Sequence, residues 1–140
     1  MRVSGKSIIV TGAGGGIGEG IARRLAAEGA AVIVNDINAA PGEKVAADIN
    51  AAGGRARFVA GDVTKSADWQ ALVAAAQAFG GKLDVIVNNA GWTHRNRPML
   101  EVSEAEFDKV YAINMKSIYW SALHGVPAMK QAGGGSFINI

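Results

Sequence analysis

Ser7-Ile8-Ile9-Val10-Thr11-Gly12-Ala13-Gly14-Gly15-Gly16-Ile17-Gly18 is an apolar run that breaks into glycine and restarts with helical spacing. Ile8 to Val10 carry no alternating polar residue, the pattern of a strand buried on both faces. Ile17, Ile21 and Leu25, flanked by Ala22 and Ala26, recur on one helical face. The glycines between permit a tight turn and let main-chain amides approach a ligand closely. A helix N-terminus at this point offers unpaired N–H groups and a favourable dipole to a phosphate. The stretch predicts a nucleotide-binding turn.

Working outward, apolar runs alternate with helical patterns along the whole chain. Ala31 to Asn35 reads as a second strand, entered through Glu28-Gly29. Asn38 is placed to cap a helix with Pro41 in its first turn and Val45 and Ile49 on its inner face. Gly53-Gly54 ends it, and Arg57 to Ala60 reads as a third strand before Gly61-Asp62-Val63. Thr64 or Ser66 opens a helix whose inner positions are Trp69, Leu72, Val73, Ala76 and Phe79. Gly80-Gly81 stops it, and Leu83 to Val87 is a fourth strand. Ser103 and Glu106 have capping-box spacing. A long helical stretch follows, with a break near Asn114 and a bend at Pro127. Gly133 to Gly135 ends that stretch, and a fifth strand begins at Ser136. Strands separated by helices of this length imply right-handed crossovers and an α/β, doubly wound parallel sheet.

At 140 residues the chain has room for one domain with a real core. Hydrophobic content of 49% with only 3 prolines excludes a disordered or collagen-like chain. The absence of cysteine excludes disulfides and thiolate chemistry. The net charge is only +2, and the 14 Lys and Arg residues are scattered. Their densest cluster, His94-Arg95-Asn96-Arg97, is too small for a nucleic-acid footprint. Arg95 or Arg97 could meet an anionic substrate, though loop arginines are more often solvated. No grouping of His, Asp or Glu has metal-ligand spacing. Met1 to Lys6 hold no signal-peptide core, and no segment approaches the ~20 apolar residues of a membrane span. A soluble cytoplasmic protein without membrane or nucleic-acid partners is expected.

Three later features carry chemistry. Asp36 stands at the close of the second strand, where a carboxylate can hydrogen-bond the ribose hydroxyls of an adenosine. It would repel a 2′-phosphate, and Val34 to Ala40 contain no Arg or Lys to receive one. Gly61-Asp62-Val63 and Asn88-Asn89-Ala90-Gly91 follow the third and fourth strands, at the edge where open α/β sheets bind ligands. S-adenosylmethionine enzymes also pair a glycine turn with an acidic residue after strand two, so the turn alone does not decide the class.

Taken in this order and spacing, Thr11-Gly12-x-x-x-Gly16-Ile17-Gly18, Asp36, Asp62-Val63, Asn88-Asn89-Ala90-Gly91 and Asn114 resemble the short-chain dehydrogenase/reductase family. The resemblance covers the whole chain and implies a Rossmann-type sheet of about five strands in the order 3-2-1-4-5. It implies that Gly12, Gly15, Gly16, Ile17 and Gly18 shape a pyrophosphate turn. By the same resemblance Asp36 and Ile37 hold the adenosine ribose, while Asp62 and Val63 hold the adenine. Asn88, Ala90 and Gly91 would line the nicotinamide side, with Asn88 in direct contact. Asn114 matches the family's helix asparagine, which helps order a water in proton transfer. The implied cofactor is NAD, with NADP less favoured. The implied reaction is hydride transfer between nicotinamide and a secondary alcohol or ketone; a non-catalytic, redox-sensing dinucleotide module is the alternative.

The resemblance stops short of the family's Ser and Tyr-x-x-x-Lys. Met115 and Leu123 lie four residues after Tyr111 and Tyr119, so neither tyrosine has the lysine partner. The 140-residue stretch by itself is therefore expected to be inactive. It closes inside the apolar run Phe137-Ile138-Asn139-Ile140, which suggests either a fragment truncated after the fifth strand or a missing side supplied by something else. Tyr119, Trp120, Leu123, Val126 and Met129 make the long helix apolar on more than one side. A homodimer or homotetramer through residues 103–131 is expected.

Overall fold

Ile8, Ile9 and Val10 lie at the centre of a sheet and are almost inaccessible to solvent. The computed structural model describes residues 1–140. Its strands are β1 (Ser7–Val10), β2 (Ala31–Asp36), β3 (Arg55–Ala60), β4 (Val85–Asn88) and β5 (Ser136–Asn139). All pair in parallel, in the order β3-β2-β1-β4-β5. The helices are α1 (Gly16–Ala27), α2 (Ala39–Ala51), α3 (Ser66–Gly80), α4 (Glu104–Tyr111) and α5 (Ser117–Gln131). This is the doubly wound, Rossmann-type arrangement that the alternating pattern implies.

Side chains that alternate along β1 feed two separate cores. Ile8 and Val10, with Val32, Val34 and Val87, pack under α1 and α2 against Ala22, Ala26, Val45 and Ile49. Ile9, Ile33 and Ile86 pair across three strands and pack under α3 and α5 against Trp69, Leu72, Ala76 and Met129. Full burial of each such aliphatic side chain contributes about 1.5–3 kcal/mol. Because the strands are parallel, all their carboxyl ends emerge on one rim.

The opposite rim is tied by Asp84, whose carboxylate accepts the Ser7 N–H at 2.8 Å and both Lys6 and Lys82 Nζ, at 3.1 and 3.0 Å. Burial pushes this carboxyl up, but the Ser7 amide and the two lysines outweigh it. The net result is a carboxyl held below its ordinary value.

Several local expectations are corrected. Ile17 is 69% exposed instead of facing the core. Gly18, Ala22 and Ala26 form the buried line of α1, because small residues let the helix lie close on the sheet. β3 starts at Arg55, two residues early, because β2 pairs with it from Ala31 onward. It is an edge strand, and the guanidinium groups of Arg55 and Arg57 lie over the Phe79 ring, 5.3 and 4.8 Å from its centre. β4 begins at Val85, since Asp84 is engaged with β1 through its side chain. Asn38 occupies the N-cap of α2 without a side-chain cap bond.

Other expectations hold. Ser103 and Glu106 form the full capping box of α4. The break near Asn114 is a π-helical turn over Ala112–Lys116.

Candidate functional site

A cleft of about 440 Å3 opens at the rim where the strands end, lined by residues from the loops after β1, β2, β3 and β4. Its wall includes Gly12, Asp36, Ile37, Asp62, Val63, Ala90 and Gly91, all singled out from sequence. The volume falls in the range of small-molecule sites.

The glycine turn and the loop after β4 form one hydrogen-bonded unit. Thr11 Oγ1 accepts the N–H groups of Asn89 and Ala90 at 3.1 and 3.0 Å. Asn89 Nδ2 donates to the Thr11 and Gly12 carbonyls at 3.0 and 3.2 Å. Gly12 has φ +61°, and a Cβ on it would stand 2.9 Å from the Ala90 Cα. Only glycine suits both the left-handed backbone and that close approach.

Beyond the turn, α1 starts at an N-cap, Gly15, with no side-chain cap bond. The Gly15 carbonyl accepts the Glu19 N–H at 3.1 Å. The N–H groups of Gly16, Ile17 and Gly18 precede the first intrahelical bond and stay available to an anion.

Beside the turn, Asp36 ends β2 half-buried, each of its carboxylate oxygens accepting one main-chain N–H, from Gly14 and from Asn38. Asp62 Oδ1 accepts the Thr64 N–H at 2.9 Å and the Thr64 hydroxyl at 2.7 Å, which leaves Oδ2 free of protein donors. Val63 is buried, and its carbonyl accepts Trp69 Nε1 at 2.9 Å. Asn35, a lining residue, donates Nδ2 to the Val59 and Gly61 carbonyls and so fixes the loop that carries Asp62.

Of the residues singled out from sequence, Gly15, Gly16, Ile17 and Gly18 lie beyond the cleft wall where the turn enters α1, and Asn88 and Asn114 also stand outside it. Asn88 is buried beneath it, donating Nδ2 to Ser121 Oγ at 3.0 Å and to Asn139 Oδ1 at 2.9 Å. It ties β4 to α5 and β5. Asn114 sits in the π-helical turn and grips the Trp92 backbone, accepting its N–H at 2.9 Å and donating to its carbonyl at 2.8 Å. That clasp fixes the chain directly after Gly91. Such turns occur often at functional sites because the widened helix frees main-chain groups and re-aims side chains.

Asn35, Asn38, Asn89, Trp92, Lys109 and Ile113 also line the cleft but were not assigned contacts from sequence. Asn89 lay inside a recognised motif, whereas the rest carry no local signal. Lys109 Nζ is 4.1 Å from the centre of the Trp92 ring. Arg97 pairs with Glu106 at 3.0 Å, which engages it with the α4 cap. No helix is long and apolar enough to cross a membrane.

The rim, its glycine turn and its two aspartates belong to a doubly wound, Rossmann-type domain. The short chain dehydrogenase family profile matches residues 6–140, and the chain belongs to that family. It is 51% identical to a 4-formylbenzenesulfonate dehydrogenase of Comamonas testosteroni over all of this chain and 56% of that protein. A 7α-hydroxysteroid dehydrogenase solved with NADH and a 7-oxo bile acid superposes with a TM-score of 0.93 at 37% identity, covering 99% of this chain and 54% of that one. A metagenomic short-chain oxidoreductase solved with NADP gives 0.91 at 37% identity, covering 99% and 63%. The chain thus spans little more than half the length of the curated relatives it matches.

Proposed function

We propose that this chain binds NAD and that the whole protein is an oxidoreductase acting on a secondary alcohol or ketone. The observation that carries the cofactor reading is one cleft that brings Gly12 of the glycine turn together with two carboxylates, Asp36 and Asp62, where that turn leads on into the uncapped start of α1.

The residues present suit such a dinucleotide. The uncapped first turn of α1 would hold a diphosphate through main-chain N–H groups and the helix dipole. Asp36 retains a lone pair on each oxygen for ribose hydroxyls, and Asp62 Oδ2 can accept from an exocyclic amine. Asp36 and the absence of Lys or Arg among Val34 to Ala40 favour NAD over its 2′-phosphorylated form. When bound, the nicotinamide ring would supply or accept the hydride. Asn114 would contribute by holding the Trp92 backbone that closes the nicotinamide end.

Phe107, Tyr111, Met115, Tyr119 and Leu123 recur every four residues along α4, the π turn and α5, and each is 48–63% exposed. Such an apolar stripe supports association through residues 103–131 as a homodimer or homotetramer.

Fluorescence titration with NADH and NADPH tests the cofactor reading. NADH is expected to bind about tenfold or more tightly than NADPH, since a carboxylate facing a phosphate costs at least the ~1.4 kcal/mol of that ratio. Equal binding of both, or binding of neither, would overturn the reading. Substrate class is tested on the whole protein with a panel that includes hydroxysteroids and 4-formylbenzenesulfonate, the compounds for which the relatives are named. Absence of NAD-linked turnover across the panel would remove the enzymatic reading.

A further inference from the structure

Asp36 is gripped at both ends of its carboxylate. The Gly14 N–H donates to Oδ2 at 3.0 Å and the Asn38 N–H donates to Oδ1 at 3.0 Å. Gly14 approaches so closely that a Cβ built on it would lie 2.8 Å from Asp36 Oδ2, 3.0 Å from Cγ and 3.2 Å from Cβ. These three nearest atoms all belong to one flexible side chain. Gly14 is also absent from the residues with positive φ, so its backbone suits alanine. The fold does not demand glycine at this position; the placement of the Asp36 carboxylate does.

We propose that Gly14 is a specificity-determining positioning residue: through its N–H and its missing side chain it locks the Asp36 carboxylate in place, and that lock discriminates against a 2′-phosphorylated adenosine. The inference rests on the dinucleotide reading above and deepens it. A carboxylate free to rotate would swing aside and admit a phosphate. One bound at both oxygens must break a main-chain hydrogen bond to do so. The lining residues provide a single cation, Lys109, and it lies over the Trp92 ring. Discrimination therefore depends on where the carboxylate is held, as well as on its charge. The link also couples the phosphate turn to the ribose side of the cleft through one hydrogen bond.

The test is a double-mutant cycle on the full chain, titrating NADH and NADPH by fluorescence against Gly14→Ala, Asp36→Ala and the double variant. Gly14→Ala is expected to weaken NADH about tenfold, the value of one charge-assisted hydrogen bond, with NADPH unchanged or tighter. In the Asp36→Ala background the same substitution is expected to change neither affinity, because its effect runs through Asp36. Asp36→Glu keeps the charge and leaves the glycine turn intact, and it too is expected to lower the NADH preference. Circular dichroism of each variant separates these outcomes from loss of fold. An unchanged NADH-to-NADPH ratio in Gly14→Ala, or an equal loss of both cofactors, would overturn the proposal. So would additive effects in the double variant, or a full NADH preference in Asp36→Glu should Gly14→Ala fail to fold. A parent chain that binds neither dinucleotide removes the underlying reading and this inference with it.

Discussion

The starts of α1 and α4 solve the same problem in opposite ways. Every helix begins with N–H groups that lack intrahelical partners. At α4, Ser103 and Glu106 satisfy them reciprocally: Glu106 N–H donates to Ser103 Oγ at 3.2 Å, and Ser103 N–H donates to Glu106 Oε2 at 3.0 Å. At α1, Gly15 occupies the cap position and supplies no side-chain acceptor. The first arrangement closes a helix for stability. The second forgoes only a few tenths of a kcal/mol of capping and leaves its donors without a side-chain acceptor. The closed cap of α4 is the exception, since α2 and α3 also begin without a side-chain cap bond; what sets α1 apart is the glycine turn that leads into it.

The contrast can be broken most severely at Gly12. Gly12→Ala forces a left-handed conformation on a residue with a Cβ and drives it into the Ala90 backbone. A loss of about 2–3 kcal/mol in denaturant unfolding is expected, together with loss of NADH binding. Parent-like unfolding in this variant would show that the turn and the Asn89 loop are not one unit.

Giving α1 the cap that α4 already has is the sharper exchange. Gly15 has φ −177°, open to any residue, and nothing would crowd a Cβ there. Gly15→Asp is expected to raise stability by a few tenths of a kcal/mol while weakening NADH about tenfold, because the new carboxylate competes for the same amides. A variant that binds NADH as tightly as the parent would refute the assignment of those N–H groups.

Removing the cap from α4 tests the other half. Ser103→Ala is expected to cost about 1 kcal/mol of unfolding free energy and leave NADH affinity unchanged.

The smallest effect is one of pH. Hydrogen bonding from the Ser103 N–H, helped by the Ser103 hydroxyl and Arg97, holds the Glu106 carboxyl below its ordinary value. A depressed folded value means that its contribution is fully present above the unfolded carboxylate pKa and disappears as pH falls through the folded one. Amide exchange at the start of α4, measured by NMR relative to the intrinsic rate at each pH, is expected to lose protection in acid through that window. If the ratio of intrinsic to observed exchange there stays constant as the solution is acidified, the cap carries no pH-dependent stability.

Much of this was readable along the chain because the signals are local. An unbroken apolar run such as Ile8 to Val10 has few alternatives to a doubly buried strand. The Ser103–Glu106 spacing specifies a cap wherever it occurs before a helix. The strand order and the cleft-lining Asp36, Asp62, Val63, Ala90 and Gly91 were implied by the family resemblance that those motifs carry. Ile17 was misplaced because helical periodicity ranks residues by hydrophobicity, while the distance between α1 and the sheet selected the small ones. Asn88 and Asn89 are adjacent and chemically identical, yet alternate residues of an extended strand point to opposite sides. One became a buried strut to Ser121 and Asn139, and the other became the link to the glycine turn.

Sequence alone settled which segments are strands and helices and which loops carry glycine, carboxylate and amide, because each depends on neighbours within a few positions. Tertiary structure alone decided that the N–H of Gly14 meets the carboxylate of Asp36, that Asn114 clasps Trp92, and that one cap stays open while another is shut. Those pairings join residues far apart in the chain, and their distances exist only once the sheet has brought the loops onto a common rim.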